Sequence, residues 1–156
     1  MPDDGLRPDN VPTNSPKVLF DEKFQADFRW VRRAMQNASK ELRRDGISDD
    51  SIGSVEIVLA EALNNVAEHA YPEDDPGEFR LIIQRRAKAL MIEIRDQGKP
   101  MPKGRAPIGN HPMTEFNQND AMPEGGYGWF LIREMVSDLV YDRHDDQNFL
   151  VIRMAI

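Results

Sequence analysis

The chain contains no cysteine, which rules out disulfides and thiolate-bound metals and leaves its redox environment unmarked. It has no apolar run near the roughly 18 residues needed to cross a bilayer. Its first residues, MPDDGLRPDNVPTNSPK, lack the basic start and apolar stretch of a secretory leader, so a soluble, cytoplasmic protein is expected. Positive charge is also in short supply: 20 Lys and Arg stand against 27 Asp and Glu, a net charge of −7. That balance opposes attraction to a phosphate backbone. The short basic island of Arg85, Arg86 and Lys88 reads as a solvated strand edge, and direct DNA or RNA binding is not expected. The segment G-x-x-x-x-G-K-[ST] is missing too, which excludes a P-loop phosphate cradle.

What is present fits one globular domain. At 156 residues, with 40% hydrophobic and 30% charged side chains, the chain is long enough to bury a core that needs no staples. Residues 1–16 carry four prolines with Asp, Asn, Gly and Ser and almost nothing apolar. Such a composition cannot offset its ordering entropy, and it reads as a flexible tail ahead of a domain over 17–156.

Val18, Leu19 and Phe20 suggest a short first strand. From 27 to 44, Phe28, Val31, Ala34, Met35, Ala38 and Leu42 recur at helical spacing, and Gly46 ends that helix. Ser48 or Asp49 caps a second helix, whose Ile52, Val55, Leu59, Ala62, Leu63, Val66 and Ala70 keep the same period until Pro72. Residues 79–84 and 90–95 read as a hairpin of strands. Residues 98–128 hold five of the 11 prolines and six of the 10 glycines, the composition of a long irregular loop of the kind used as a functional lid. Residues 129–136 are helical in pattern, and 139–141 with 149–156 make a closing hairpin around HDDQN. The expected architecture is an α/β (α+β) two-layer sandwich, a mixed sheet with helices on one face.

Three segments carry chemistry. On the second helix Glu61, Asn64, Asn65 and Glu68 lie roughly opposite the Leu59, Leu63, Val66 stripe, with His69 at the border. The plain reading is a solvated face. The functional one is a polar cleft in which the Asn65 amide oxygen holds magnesium and the Glu61 carboxylate takes a proton. Asp96-Gln97-Gly98 follows a strand, which sets an acid at the strand end and a glycine where a flat ligand can approach the backbone. Taken alone, it is also a common turn. Gly125-Gly126-Tyr127-Gly128 opens a helical segment, where converging N–H groups and the helix N-terminus suit phosphate oxygens. As a hinge it would be equally at home.

The three occur in one order, and in that order they resemble the motifs of the GHKL ATPase superfamily. EALNNVAEHAY is similar to its N box, RDQGKP to its first glycine box and GGYGWFLIREMVSDLV to its second. Within it, the chain most resembles the small anti-sigma-factor serine protein kinases of bacteria, over roughly 17–156. The resemblance implies ATP and magnesium as cofactors, with Asn65 ligating the metal beside the nucleotide and Glu61 as general base. It implies that Asp96 accepts from the adenine amino group, and that Gly98, Gly126 and Gly128 border the nucleotide and a lid over about 99–125.

Two positions depart from the pattern. Some relatives carry an arginine just before the second glycine box, able to stabilise the γ-phosphate, where this chain has Glu124. Many members carry G-x-G in the first box, where this chain has Gly98-Lys99-Pro100 and a stiffer lid base.

The implied function is that of a homodimeric anti-sigma factor that binds a sigma factor and phosphorylates a STAS-domain antagonist on serine. The alternative is a catalytically silent ATP-binding module that switches protein partners by nucleotide-dependent ordering of its lid. A detached ATPase domain of a histidine kinase fits less well, since no phosphoacceptor helix pair is read upstream and His69 lies inside the N box.

Overall fold

Both long helices begin on a side chain that closes their first turn. In α1 (Phe28–Arg44) Asp27 accepts from the Trp30 N–H at 3.0 Å, and in α2 (Asp49–His69) Ser48 accepts from the Ser51 N–H at 3.2 Å. Each side chain satisfies one of the orphan donors of a helix start. Of the two expected caps for α2, Ser48 is the one used. The end of α1 closes with Gly46 N–H to Arg43 O and Ile47 N–H to Leu42 O, both at 3.1 Å, and Ile47 is buried beneath it.

The computed structural model describes residues 15–109 and 127–156. Residues 1–14, nearly all of the expected tail, and residues 110–126, which take in most of the expected lid over about 99–125, lie outside them. Besides the two helices, the described residues contain β1 (Lys17–Gln25), β2 (Glu78–Arg86), β3 (Ala89–Asp96), a 3₁₀ turn (Pro102–Gly104), α3 (Tyr127–Met135), β4 (Asp138–His144) and β5 (Gln147–Ala155). Among the described residues no helix is long and apolar enough to cross a membrane.

The strands of the described residues form one sheet in the order β1-β2-β3-β5-β4, and every neighbouring pair is antiparallel. The sheet is therefore antiparallel, where the sequence suggested a mixed one. β3 and β4 do run the same way, with α3 between them in the chain. But β5 turns back at Asp145-Asp146, both at positive φ, and inserts between the two. Strand β1 is also longer than expected, nine residues rather than three. It is an edge strand whose Asp21, Glu22 and Lys23 face solvent, and only Phe20 and Phe24 are buried, so its sequence shows little alternation.

The core lies between one sheet face and the helices. Leu81, Ile83, Leu90, Ile92, Ile94 and Ile152 of the sheet pack with Ala34, Ala38 and Leu42 of α1 and Val55, Leu59, Leu63 and Val66 of α2. At one edge of this layer the end of α2 meets the loop after β3, where the Lys99 N–H bonds the Ala70 carbonyl at 2.8 Å.

Candidate functional site

Strand register brings the polar residues together. Asp96, the last residue of β3, stands opposite Asn148 of β5, which stands opposite Arg143 of β4. On the other side of Asp96 the row continues into buried Phe79. Asp96 itself is only 8% exposed. Its Oδ1 accepts from the Gly98 N–H at 2.9 Å and from Asn148 Nδ2 at 2.8 Å. No described group donates to Oδ2, and since no buried side-chain polar atom among the described residues lacks a partner, Oδ2 keeps open surface. Burial pushes the Asp96 carboxyl above its ordinary range, against the pull of the Asn148 and Gly98 bonds and the Arg143 charge.

Beside Asp96 lies a cavity of about 420 Å³, within the usual range for small ligands. Asn65, Val66 and His69 of α2 form one wall, Ile94 and Leu150 the floor, and Lys99, Pro100 and Met101 the far side. A second hollow of about 730 Å³ opens on the other side of the 96–99 loop, among Tyr71, Arg80, Arg95 and Gln97. Asp96 borders both. The smaller one, with apolar walls around one carboxylate, is the better fit to a flat heterocycle.

The first glycine of the site is required by close approach. A Cβ at Gly98 would stand 2.3 Å from the Ala70 carbonyl oxygen, where the Lys99 N–H bonds that same oxygen at 2.8 Å. The loop after β3 is thereby pressed onto the end of α2. At Gly128, in the first turn of α3, a Cβ would stand 2.1 Å from Glu61 Oε2. Glu61 is exposed, and its carboxylate rests against the α3 N-terminus, with no hydrogen bond among the described residues. Asn65, one turn along α2, is half-buried with an equally uncommitted amide.

The two glycines predict different outcomes. Gly98→Ala meets rigid backbone and should cost about 1–3 kcal/mol of stability, read by thermal or urea unfolding. Gly128→Ala meets the far end of a flexible side chain. It should fold normally and displace Glu61, lowering any activity that depends on that carboxylate.

Of the expected site residues, Asn65 and Asp96 line the 420 Å³ cavity, Gly98 bonds Asp96 and lines the larger hollow, and Glu61 and Gly128 meet a turn away. Gly126 and Glu124 lie outside the described residues. His69 is exposed and lines both hollows. The base of the expected lid is less irregular than its composition suggested. Residues 102–104 form the 3₁₀ turn, Ala106 is buried, and Arg133 of α3 donates to the carbonyls of Pro107 at 2.9 Å and Ala106 at 3.0 Å.

Sequence reasoning missed Tyr71, Tyr141, Arg143 and Asn148. Tyr71 donates to Glu78 O and accepts from Gln97 N–H, each at 2.7 Å, and so holds the turn after α2 to the loop after β3. A signal for Asn148 was present: it falls in phase with Leu150, Ile152 and Met154, the inward side of β5, and a polar residue there needs a partner.

Among the described residues no cluster of three His, Cys, Asp or Glu side chains is placed to hold a metal. Asn65 offers one free amide oxygen at the cavity edge. Such a donor set fits magnesium, which is ordinarily carried by phosphates and one or two protein oxygens.

The chain belongs to the histidine kinase-like ATPase family, whose domain model matches residues 24–155, as the three ordered motifs implied. Family membership implies ATP binding. Among curated proteins the chain is similar to serine-protein kinase RsbW of Oceanobacillus iheyensis, 26% identical over 117 residues that cover 75% of this chain and 74% of that protein. It is similar to the serine-protein kinase RsbW of Bacillus cereus at 29% over 119 residues, covering 75% and 72%. To that of Bacillus subtilis it is 27% identical over 101 residues, covering 65% and 63%. The relationship to these kinases is distant.

Proposed function

We propose that the domain over 17–156 is a cytoplasmic serine protein kinase and anti-sigma factor, which binds ATP in the 420 Å³ cavity and phosphorylates a STAS-type antagonist. The observation that carries this reading is Asp96: a buried carboxylate with Oδ1 doubly engaged and Oδ2 open beside an apolar cavity. Adenine offers an amino donor to such an acceptor and a flat face to Ile94 and Leu150. Asn65 lines the α2 wall of the same cavity, and there it would hold magnesium, whose charge offsets that of the phosphates. Glu61, at the α3 N-terminus, would accept the proton of the attacking serine hydroxyl. Gly98, Gly126 and Gly128 would let the backbone close on the nucleotide.

The names of the relatives support serine as the acceptor. Glu124, in place of an arginine able to stabilise the γ-phosphate, supports the second reading, an ATP-binding switch without transfer. Titration of the protein with ATP and magnesium, beside transfer of labelled γ-phosphate to a purified STAS-type protein, tests both. Binding with transfer supports the kinase, binding without transfer leaves the switch, and no binding removes both. A homodimer is proposed on family grounds and predicts, by light scattering at high micromolar concentration, twice the 17.9 kDa chain mass. A strictly monomeric mass would refute it.

A further inference from the structure

We infer that Arg143 and Tyr141 of β4, acting through Asn148, are positioning residues that lock Asp96 as an acceptor and so set a preference for 6-amino over 6-oxo purines. The inference rests on the nucleotide reading above and deepens it.

Asn148 is 4% exposed and has every polar site engaged. Its Oδ1 accepts from the Tyr141 hydroxyl at 2.6 Å and from Arg143 Nη1 at 2.7 Å. Its Nδ2 donates to Asp96 Oδ1 at 2.8 Å, and to the carbonyls of Lys99 at 3.1 Å and Gly98 at 3.3 Å. Arginine carries donors only. Turning the amide over would set its NH₂ against the guanidinium, so the orientation is forced. Arg143 also donates to Gly98 O at 3.0 Å, and Tyr141 accepts from the Met101 N–H at 3.0 Å. The same pair therefore holds the loop that walls the cavity. Because Asn148 is fully engaged, it has no group left for a ligand and acts only through Asp96 and that loop.

The consequence falls on Asp96. With an amide donor fixed on Oδ1 and the Gly98 N–H beside it, Oδ1 is filled, and Oδ2 is the only atom left to accept from a ligand or to take a proton. A 6-amino purine brings a donor to Oδ2. A 6-oxo purine brings an acceptor, and two lone pairs face each other unless Oδ2 is first protonated. Several other ionisable groups line the two hollows beside Asp96: His69 of α2, Tyr71 after it, Arg95 of β3, Lys99 and Tyr141. Arg143 is the charge that acts on Asp96, and it favours the ionised form. Removing that charge makes protonation of Oδ2 easier and so eases binding of the oxo base.

The test is calorimetric titration with ADP and with IDP, magnesium present, on the wild type, Arg143→Met, Arg143→Lys and Tyr141→Phe. The wild type is expected to prefer ADP by at least about tenfold, the scale of a lost or opposed hydrogen bond at a buried site. In R143M the ADP/IDP ratio should fall by about tenfold, with IDP affinity held or improved, and R143K should restore most of it. Tyr141→Phe should lower the ratio by a smaller factor and carries the test should R143M fail to fold. Equal weakening of both nucleotides in R143M and Y141F, with the ratio unchanged, would show a merely structural role and overturn the inference. A wild type that binds neither nucleotide would instead sink the nucleotide reading itself.

Discussion

Replacing Glu61 by alanine is expected to slow phosphoryl transfer by a factor of about 10² to 10⁴ while leaving ATP affinity within about twofold. The carboxylate sits a full helical turn from Asn65, against the first turn of α3, and is absent from the lining of the adenine-sized cavity. On the proposed reading, a base so placed would act on the attacking hydroxyl and have little to do with the bound nucleotide. Asn65→Ala should behave differently. It removes from the cavity wall the oxygen that would hold the metal, so binding and transfer should fall together. The measurement pairs nucleotide titration with γ-phosphate transfer to a purified STAS-type protein. Were these residues only a solvated helix face, both substitutions would shift nothing beyond about 0.5 kcal/mol of stability.

Asp96→Asn should weaken ADP and ATP by about 10- to 100-fold without harming the fold, and this separation is the informative part. The new amide oxygen can still accept from Gly98 and Asn148, so the internal bonds survive. At the other position an NH₂ replaces the free Oδ2, and the adenine amino group then meets a donor instead of a charged acceptor, a loss on the scale of a charge-assisted hydrogen bond. Stability should move the other way. Asp96 titrates above its ordinary value of 3.8 because it is buried, so its contribution to stability is present in acid and is lost as pH rises through the folded-state pKa. A neutral asparagine removes that cost, and D96N should melt no lower than the wild type at neutral pH. Nucleotide affinity in the wild type should decline as pH falls through that same pKa. Calorimetry and thermal melts across pH check both signs, and unchanged affinity in D96N would remove Asp96 from the adenine site.

The parts of this molecule that were legible in the sequence are those fixed by local periodicity. The stripes of α1 and α2, the Ser48 cap and the Asp96-Gln97-Gly98 strand end are each set by residues within a few positions of one another. Their placement around a common cavity was legible only through the family resemblance, because spacing along a chain does not say which strand ends meet. The position of β5 was not legible, since a strand inserted between β3 and β4 has the same local pattern as one added at an edge. Tyr141, Arg143 and Asn148 were missed for the same reason. Asn148 and Asp96 are 52 positions apart, and nothing near either residue indicates that they pair.

The interior position of β5 has a consequence for how the domain opens. Among the described residues β3 and β4 share no ladder of their own, and the backbone bonds that join them into one sheet are those that β5 makes to each. If β5 detaches, the sheet divides between its third and fifth strands instead of fraying at a margin, and Asp96 parts from Arg143 and Tyr141 in the same event. Local openings that expose β5 amides should therefore approach the free energy of complete unfolding, while those of β1 should cost much less. Native-state hydrogen exchange would then place β5 in the slowest class of amides, and would show the Asp96–Asn148 network to be among the last regions of the domain to come apart.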